Sequence, residues 1–468
     1  MQFVRQNSCL LTGDADGYVV YWDISTMRAM AAWQAHKAPI LGLALWGLDK
    51  VITHGRDNTA RIWKLHPPPA DNLRPVPLPS DPLQQLEADN WKPWLLHAVA
   101  VNTLNFCAFS VCYQHTSTDL AVPHSSHDTV LIAFPGGDDQ TIAVYQFPDE
   151  ALKAVIPRVQ ATTTGMVMAV KLVHHRVSQS MILLAGYEGG VTAAFKLLEN
   201  CTGHGMMIAE LIYLSQPHSQ PILSLDASPD GDSYFTSSAD AMIAMHRISV
   251  SPNTSDGQDI ADHREDTDND SLPVPKELPF TLNEQEQSIS PTLTAVPQGA
   301  HTSDDTHEDG GSSTQFAKQS VDQAKKADPK PSGLSSVLSS NQHSQTKSAK
   351  PPRQVTVQAP YKVVNTKHAG QQSLRVRSDG RLVVTGGWDA RIRIYSSTTL
   401  KEVAVLKWHK QGVYAVDFSE ILTAKDVRVE EYVRIDRGQP EKRETQMKLK
   451  HWVAAGAKDG KVSLWEVY

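Results

Sequence analysis

Histidines, carboxylates and Gly-rich turns are where a chain most often holds a metal, moves a proton or cradles a phosphate. His174 and His175 are adjacent. Neighbours on a strand point to opposite faces, and no Cys or second His stands close in sequence to complete a zinc set. GDADGYVVYWD, starting at Gly13, opens like a calcium loop, but its glycine comes two places early and no Glu closes it. FPGGDDQ, from Phe134, is Gly-rich without the Lys and Ser/Thr of a phosphate loop. No GxSxG elbow or cysteine-nucleophile signature is present. The four cysteines, Cys9, Cys107, Cys112 and Cys201, form no CxxC pair, which suits a reduced, intracellular chain. These residues predict no catalytic site, no metal and no cofactor.

The same Asp, His and Gly residues fit a different purpose once their spacing is considered. Residues 10–24 read LLTGDADGYVVYWDI and residues 51–65 read VITHGRDNTARIWKL: an apolar pair, a Thr, an Asp in a tight turn, an alternating run and a Trp. A step of six residues joins Asp16 to Trp22 and Asp57 to Trp63. It recurs from Asp139 to Tyr145, Gly189 to Phe195, Asp240 to His246, Asp389 to Tyr395 and Asp459 to Trp465, giving seven units. Gly and Asp tolerate the backbone angles of a tight reversal, so each unit predicts a hairpin. A His followed by an apolar strand precedes several of them, at His36, His218, His368 and His409.

Units of about 40 to 45 residues with a leading His and a closing Trp resemble WD repeats. The resemblance implies an all-β fold, a seven-bladed WD40 β-propeller with a long disordered insertion. It also implies that His36, Thr53, Asp57 and Trp63 form a hydrogen-bonded ladder. Thr385 stands at the hydroxyl position of unit six, whereas unit seven has Ala455 there and unit four has Gly189 at the turn, so those two blades should rely on packing. The chain begins at MQFVRQN, within what should be the first strand of blade one, and ends on the third strand of blade seven. A WD propeller usually closes with an N-terminal strand lent to the last blade. Either the start lies too late, or blade seven has three strands and an exposed edge.

Uneven spacing between units marks insertions. Residues 66–93 are Pro-rich and carry Trp91, with Trp94 just beyond them, and residues 421–450 are highly charged. Residues 251–358 hold only two aromatics, Phe280 and Phe316, too little apolar surface to offset the entropy of ordering. The expected layout is blades one to five in 1–250, a disordered insertion in 251–358, and blades six and seven in 359–468. Net charge of −7 with a pI near 6.2 gives no global basic footprint, so direct nucleic-acid binding is not expected. No apolar run approaches the roughly 20 residues that span a bilayer, so no membrane partner is expected.

A closer resemblance lies in FVRQNSCLLTGDADGYVVYWD, WLLHAVAVNTLNFCAFS, KHAGQQSLRVRSDGRLVVTGGWDARIRIY and LKWHKQGVYAVDFS. These blocks are similar to the fungal ASTRA-associated protein 1 family. That resemblance implies a nuclear, non-catalytic scaffold subunit of the ASTRA assembly, linked to chromatin remodelling and to maturation of phosphatidylinositol-3-kinase-like kinases. The implied partners are the RuvB-like AAA+ ATPases, the telomere-length-regulator cochaperone module and the PI3-kinase-like coactivator subunit. Two other readings stay open. A cullin ubiquitin-ligase receptor would carry a Trp-Asp-x-Arg box after a third strand, whereas Trp388 to Arg391 sit in the turn before one. A histone-tail or peptide reader would use the channel mouth, for which Trp388 and the corresponding turn residues Arg56 and Lys458 are the candidate surface contacts.

Overall fold

The turn centred on Asp57 returns the chain so that Thr53 faces Arg61, Ile52 faces Ile62 and Val51 faces Trp63. Asn58 at its end takes a φ of 59°, a left-handed angle that Asn tolerates better than most residues. The turn before Trp22 pairs Leu10 with Trp22 and Thr12 with Val20. A computed structural model describes residues 1–66, 78, 91–103, 106–115, 128–199, 205–248, 355–431 and 440–468. All of these fall in one unit, Met1–Asp256 with Pro352–Tyr468.

The described residues form seven antiparallel sheets, six of four strands and the seventh of three. The innermost strands are Gln2–Val4, Ile40–Trp46, Ser110–Tyr113, Val167–His175, Ile222–Ala227, Gln371–Val376 and Val413–Phe418. They surround a central cavity of about 880 Å³. The fold is therefore a seven-bladed propeller, with blades numbered in chain order. Each blade packs face to face on the next, so both faces of the second and third strands are covered. Ser180–Tyr187 is buried at every residue. One apolar layer joins Leu11 and Tyr21 of blade one to Val51 and Trp63 of blade two, and another joins Leu131 and Val144 to Leu183 and Phe195. Each such fully buried side chain contributes about 1.5–3 kcal/mol.

Polar stitches reinforce these apolar seams. A side chain on one inner strand accepts a backbone N–H from the next blade: Ser110 from Leu172 at 2.9 Å, Ser224 from Leu374 at 3.1 Å, Asp226 from Val376 at 2.9 Å and Ser373 from Val416 at 3.2 Å. Asp417 of blade seven accepts from Phe3 of blade one at 3.2 Å, which closes the ring. Lys171 pairs with Asp226 at 2.7 Å, so much of the charge inside the channel is balanced.

The layout differs from expectation at two places. Blade five takes its fourth strand, Lys362–Asn365, from beyond the long insertion, so it straddles 1–250 and 359–468. The outer edge of Met242–Arg247 needs a pairing partner, and KVVN supplies one. Residues 355–358 also belong to the folded unit, because Val355 packs on the core of blades three and four and the Gln358 N–H bonds Leu214 O at 2.8 Å. The expected disorder of 251–354 lies outside the described residues, as does most of the Pro-rich stretch. Trp91 of that stretch packs against Trp33 of blade one, whereas Trp94 is exposed. In the charged stretch 421–450, two helices, Ala424–Glu431 and Pro440–Lys448, flank the undescribed residues 432–439. The second ends against the propeller, where the Trp452 indole donates to Met447 O at 2.9 Å. Among the described residues, the outer edge of Val462–Glu466 in blade seven carries no fourth strand.

Candidate interaction face

The upper face carries the turns between second and third strands and the loops that lead into the next blade. In blade two it holds the fullest ladder. The Trp63 indole donates to Thr53 Oγ1 at 2.9 Å, Thr53 Oγ1 meets His36 Nε2 at 2.7 Å, and His36 Nδ1 meets Asp57 Oδ1 at 2.9 Å. An ionised carboxylate only accepts, so the imidazole proton sits on Nδ1, facing Asp57, and in the neutral ring Nε2 accepts the Thr53 hydroxyl hydrogen. Burial pushes His36 down, against the pull of Asp57, which keeps the ring neutral. Burial pushes Asp57 up, but hydrogen bonds from Thr59 and His36 outweigh it and hold the carboxyl at about 2.

The other ladders are variations. In blade five, His218 contacts Asp240 at 3.2 Å and Thr236 at 2.8 Å, and Thr236 contacts His246 at 3.1 Å. In blade one the Trp22 indole donates to Thr12 at 2.8 Å. Asp16 itself is exposed, and Asp14 caps that turn by accepting from the Asp16 and Tyr18 N–H groups.

Blades six and seven are rewired. His368 is exposed and lies 3.6 Å from Asp389, outside the ladder. Gly370, at a φ of 72°, turns the chain so that buried Gln371 fills the slot and accepts from Thr385 at 2.7 Å, while Arg393 donates to Asp389 at 3.0 Å. In blade seven, Ala455 lacks a hydroxyl, yet blade seven does not rely on packing alone. Ser463, paired with Ala455 across the hairpin, contacts His409 at 2.8 Å and accepts from the Trp465 indole at 2.9 Å. Asp459 lies 3.7 Å from His409.

The outward candidates do not gather at one point. Arg56 stacks over exposed Phe106 at 4.4 Å in blade two. Trp388 lies across Gly370 in blade six and donates to Gln372 Oε1 at 2.8 Å. Lys458 of blade seven is exposed, and its backbone N–H bonds Gly412 O at 2.9 Å. Trp388 to Ala390 form the turn between Leu382–Gly387 and Arg391–Ser396, and Arg391 opens the second strand; Asp389 is committed to Arg393, so the box of a cullin receptor is not formed there. His174 and His175 bond Tyr113 O and Ser178 instead of each other. Among the described residues no three His, Cys, Asp or Glu side chains group as metal ligands.

What the spacing did not reveal is a collar. In five inner strands the pairing register slips by one residue, between Ile40 and Gly42, Val167 and Ala169, Ile222 and Ser224, Gln371 and Ser373, and Val413 and Ala415. The bulged residues Leu41, Met168, Leu223, Gln372 and Tyr414 all line the central cavity. A bulge re-aims a side chain, and here it turns one per blade toward the channel mouth. The one available sequence signal is that the next residue is always Gly, Ala or Ser. At Gly42 a Cβ would come within 3.2 Å of Phe109.

The WD domain, G-beta repeat family matches residues 361–396, the outer strand of blade five and the hairpin of blade six. Across 478 aligned residues, all of the chain is 38% identical to a Pyricularia oryzae protein named ASTRA-associated protein 1, covering 94% of it. The chain belongs to the ASTRA-associated protein 1 family. A Verticillium alfalfae member is 36% identical over all of the chain and 89% of its own length, and a Schizosaccharomyces pombe member is 25% identical over 90% of the chain. This ASTRA-associated protein 1 family member thus combines a complete ladder in blade two with a rewired pair of blades, six and seven.

Proposed function

We propose that the chain is a non-catalytic scaffold subunit of the ASTRA assembly and acts in the nucleus. The observation that carries this reading is similarity along the whole chain to proteins named ASTRA-associated protein 1. The site chemistry supports it, because the ladder histidines and carboxylates of blades two and five bond one another within each blade and leave the outward side chains of their turns to meet partners. The partners in this reading are the RuvB-like ATPases, the telomere-length-regulator cochaperone module and the PI3-kinase-like coactivator subunit, with roles in chromatin remodelling and kinase maturation. Rapid depletion of the protein tests the kinase role. Steady-state levels of the PI3-kinase-like kinases should fall while their transcripts hold, and unchanged kinase levels would count against that role.

A further inference from the structure

We infer that the upper mouth of the central cavity, with the rim of blades six and seven, docks an acidic peptide segment bearing one bulky apolar side chain. This deepens the scaffold reading and rests on it. Four of the five bulged residues, Leu41, Met168, Leu223 and Tyr414, are apolar or aromatic and line the cavity with Phe106. Tyr414 is 47% exposed and Phe106 63% exposed, so the mouth offers uncovered aromatic surface of the kind that anchors binding. The rim continues it. The Tyr414 ring and the Trp388 backbone flank Gly412, and the Trp388 indole is held by Gln372 of the collar. Trp408 lies exposed beyond them, with Lys461 over its ring at 5.8 Å.

Charge decides the sign of the partner. Lys367, Lys410, Lys458 and Lys461 are all exposed here and form no ion pair among the described residues. The nearby turn carboxylates face inward, Asp389 to Arg393 and Asp459 toward His409. A basic tail would meet unpaired lysines and no free carboxylate, whereas an acidic segment pairs with them and seats its apolar side chain in the collar. Elsewhere on the upper face the turns of blades one, three and four carry Asp16, Asp138, Asp139 and Glu188, with Asp138 paired to Arg158, and the turn of blade two carries Arg56.

Panning the full chain against a phage library of random peptides tests this. Retained peptides should be rich in Asp and Glu around one aromatic, Leu or Met. The synthetic form of the best peptide should lose affinity at least about tenfold on Tyr414→Ser or on Lys458→Glu with Lys461→Glu, and should weaken as salt rises. The three side chains are exposed, and matched melting curves establish that the variants fold. Enrichment of basic peptides, no enrichment, or equal binding by the variants would overturn the inference. In parallel, the wild-type chain is tested for co-purification with the RuvB-like ATPases. Retention of those ATPases without peptide enrichment sinks the docking site alone, whereas their absence sinks the scaffold reading.

Discussion

Asn7 and Glu420, separated by nearly the whole chain, hold each other at both backbone groups. The Asn7 amide donates to Glu420 O at 2.8 Å and accepts from the Glu420 N–H at 2.9 Å, while also donating to Lys448 O at 3.1 Å. Asn7 is 1% exposed with a φ of 65°, an angle Asn accepts more readily than most residues. It ties the first hairpin of blade one to the segment leaving the inner strand of blade seven and to the end of the inserted helix. Asn7→Ala leaves three backbone groups without this partner, and we expect a loss of about 2–4 kcal/mol. A urea midpoint unchanged from wild type would show that the seam closes without it.

The ladder of blade two should respond to its hydroxyl specifically. Thr53→Val keeps the shape but orphans the Trp63 indole and His36 Nε2, at a cost of about 2–3 kcal/mol. Thr53→Ser keeps the hydroxyl and should recover most of that loss. Equal destabilisation by the two variants would point to the methyl group rather than the hydrogen bonds.

Blade six provides the sharper contrast. His368→Ala should lie within about 0.5 kcal/mol of wild type, as surface substitutions do, whereas Gln371→Leu should cost about 1–3 kcal/mol by leaving Thr385 unpaired. Thermal melts of the two variants decide this, and the reverse order would restore His368 to the ladder.

His54 makes stability fall on acidification. It is fully buried between Phe109 and Phe134, at ring distances of 6.0 and 5.7 Å. Burial, helped by the nearby His36, pushes it down to about 4 from its ordinary 6.5. The unfolded chain takes up a proton near pH 6.5 while the folded ring stays neutral, so this residue's support is complete above that pH. It declines by up to about 1.4 kcal/mol per pH unit as pH falls toward 4. Burial sends His246 the same way, to about 3. Urea unfolding across this window should give His54→Leu a shallower pH slope than wild type, and identical slopes would contradict the assignment.

Seven hairpins were legible because Asp, His and Trp are chemically distinct and recur at a fixed step. His36, Thr53, Asp57 and Trp63 meet because their ladder lies within one repeat. His368 misled because the chain turns at Gly370, and the slot goes to a Gln three residues later that no His motif marks. Ser463 escaped notice because it replaces Ala455 from across the hairpin, a relation of register and not of spacing. The collar was hidden because Leu41, Met168 and Leu223 read as ordinary strand residues until a bulge turns them. Asn7 and Glu420 share no local pattern at all, so only the closed ring reveals them.

Blade five sets the limits of the insertion. Deleting 257–350 removes none of the described residues, and the melting temperature should stay within about 2 °C. Extending the deletion through Asn365 strips the fourth strand from Met242–Arg247 and should lower it well beyond that. Equal melting of the two deletions would mean that Lys362–Asn365 is dispensable.

The most direct test of the account is affinity purification of the tagged full chain from nuclear extract at moderate salt, with mass spectrometry of what remains bound. Recovery of the RuvB-like ATPases together with the telomere-length-regulator module is the predicted result. Recovery of a cullin adaptor, or of histones alone, would contradict it.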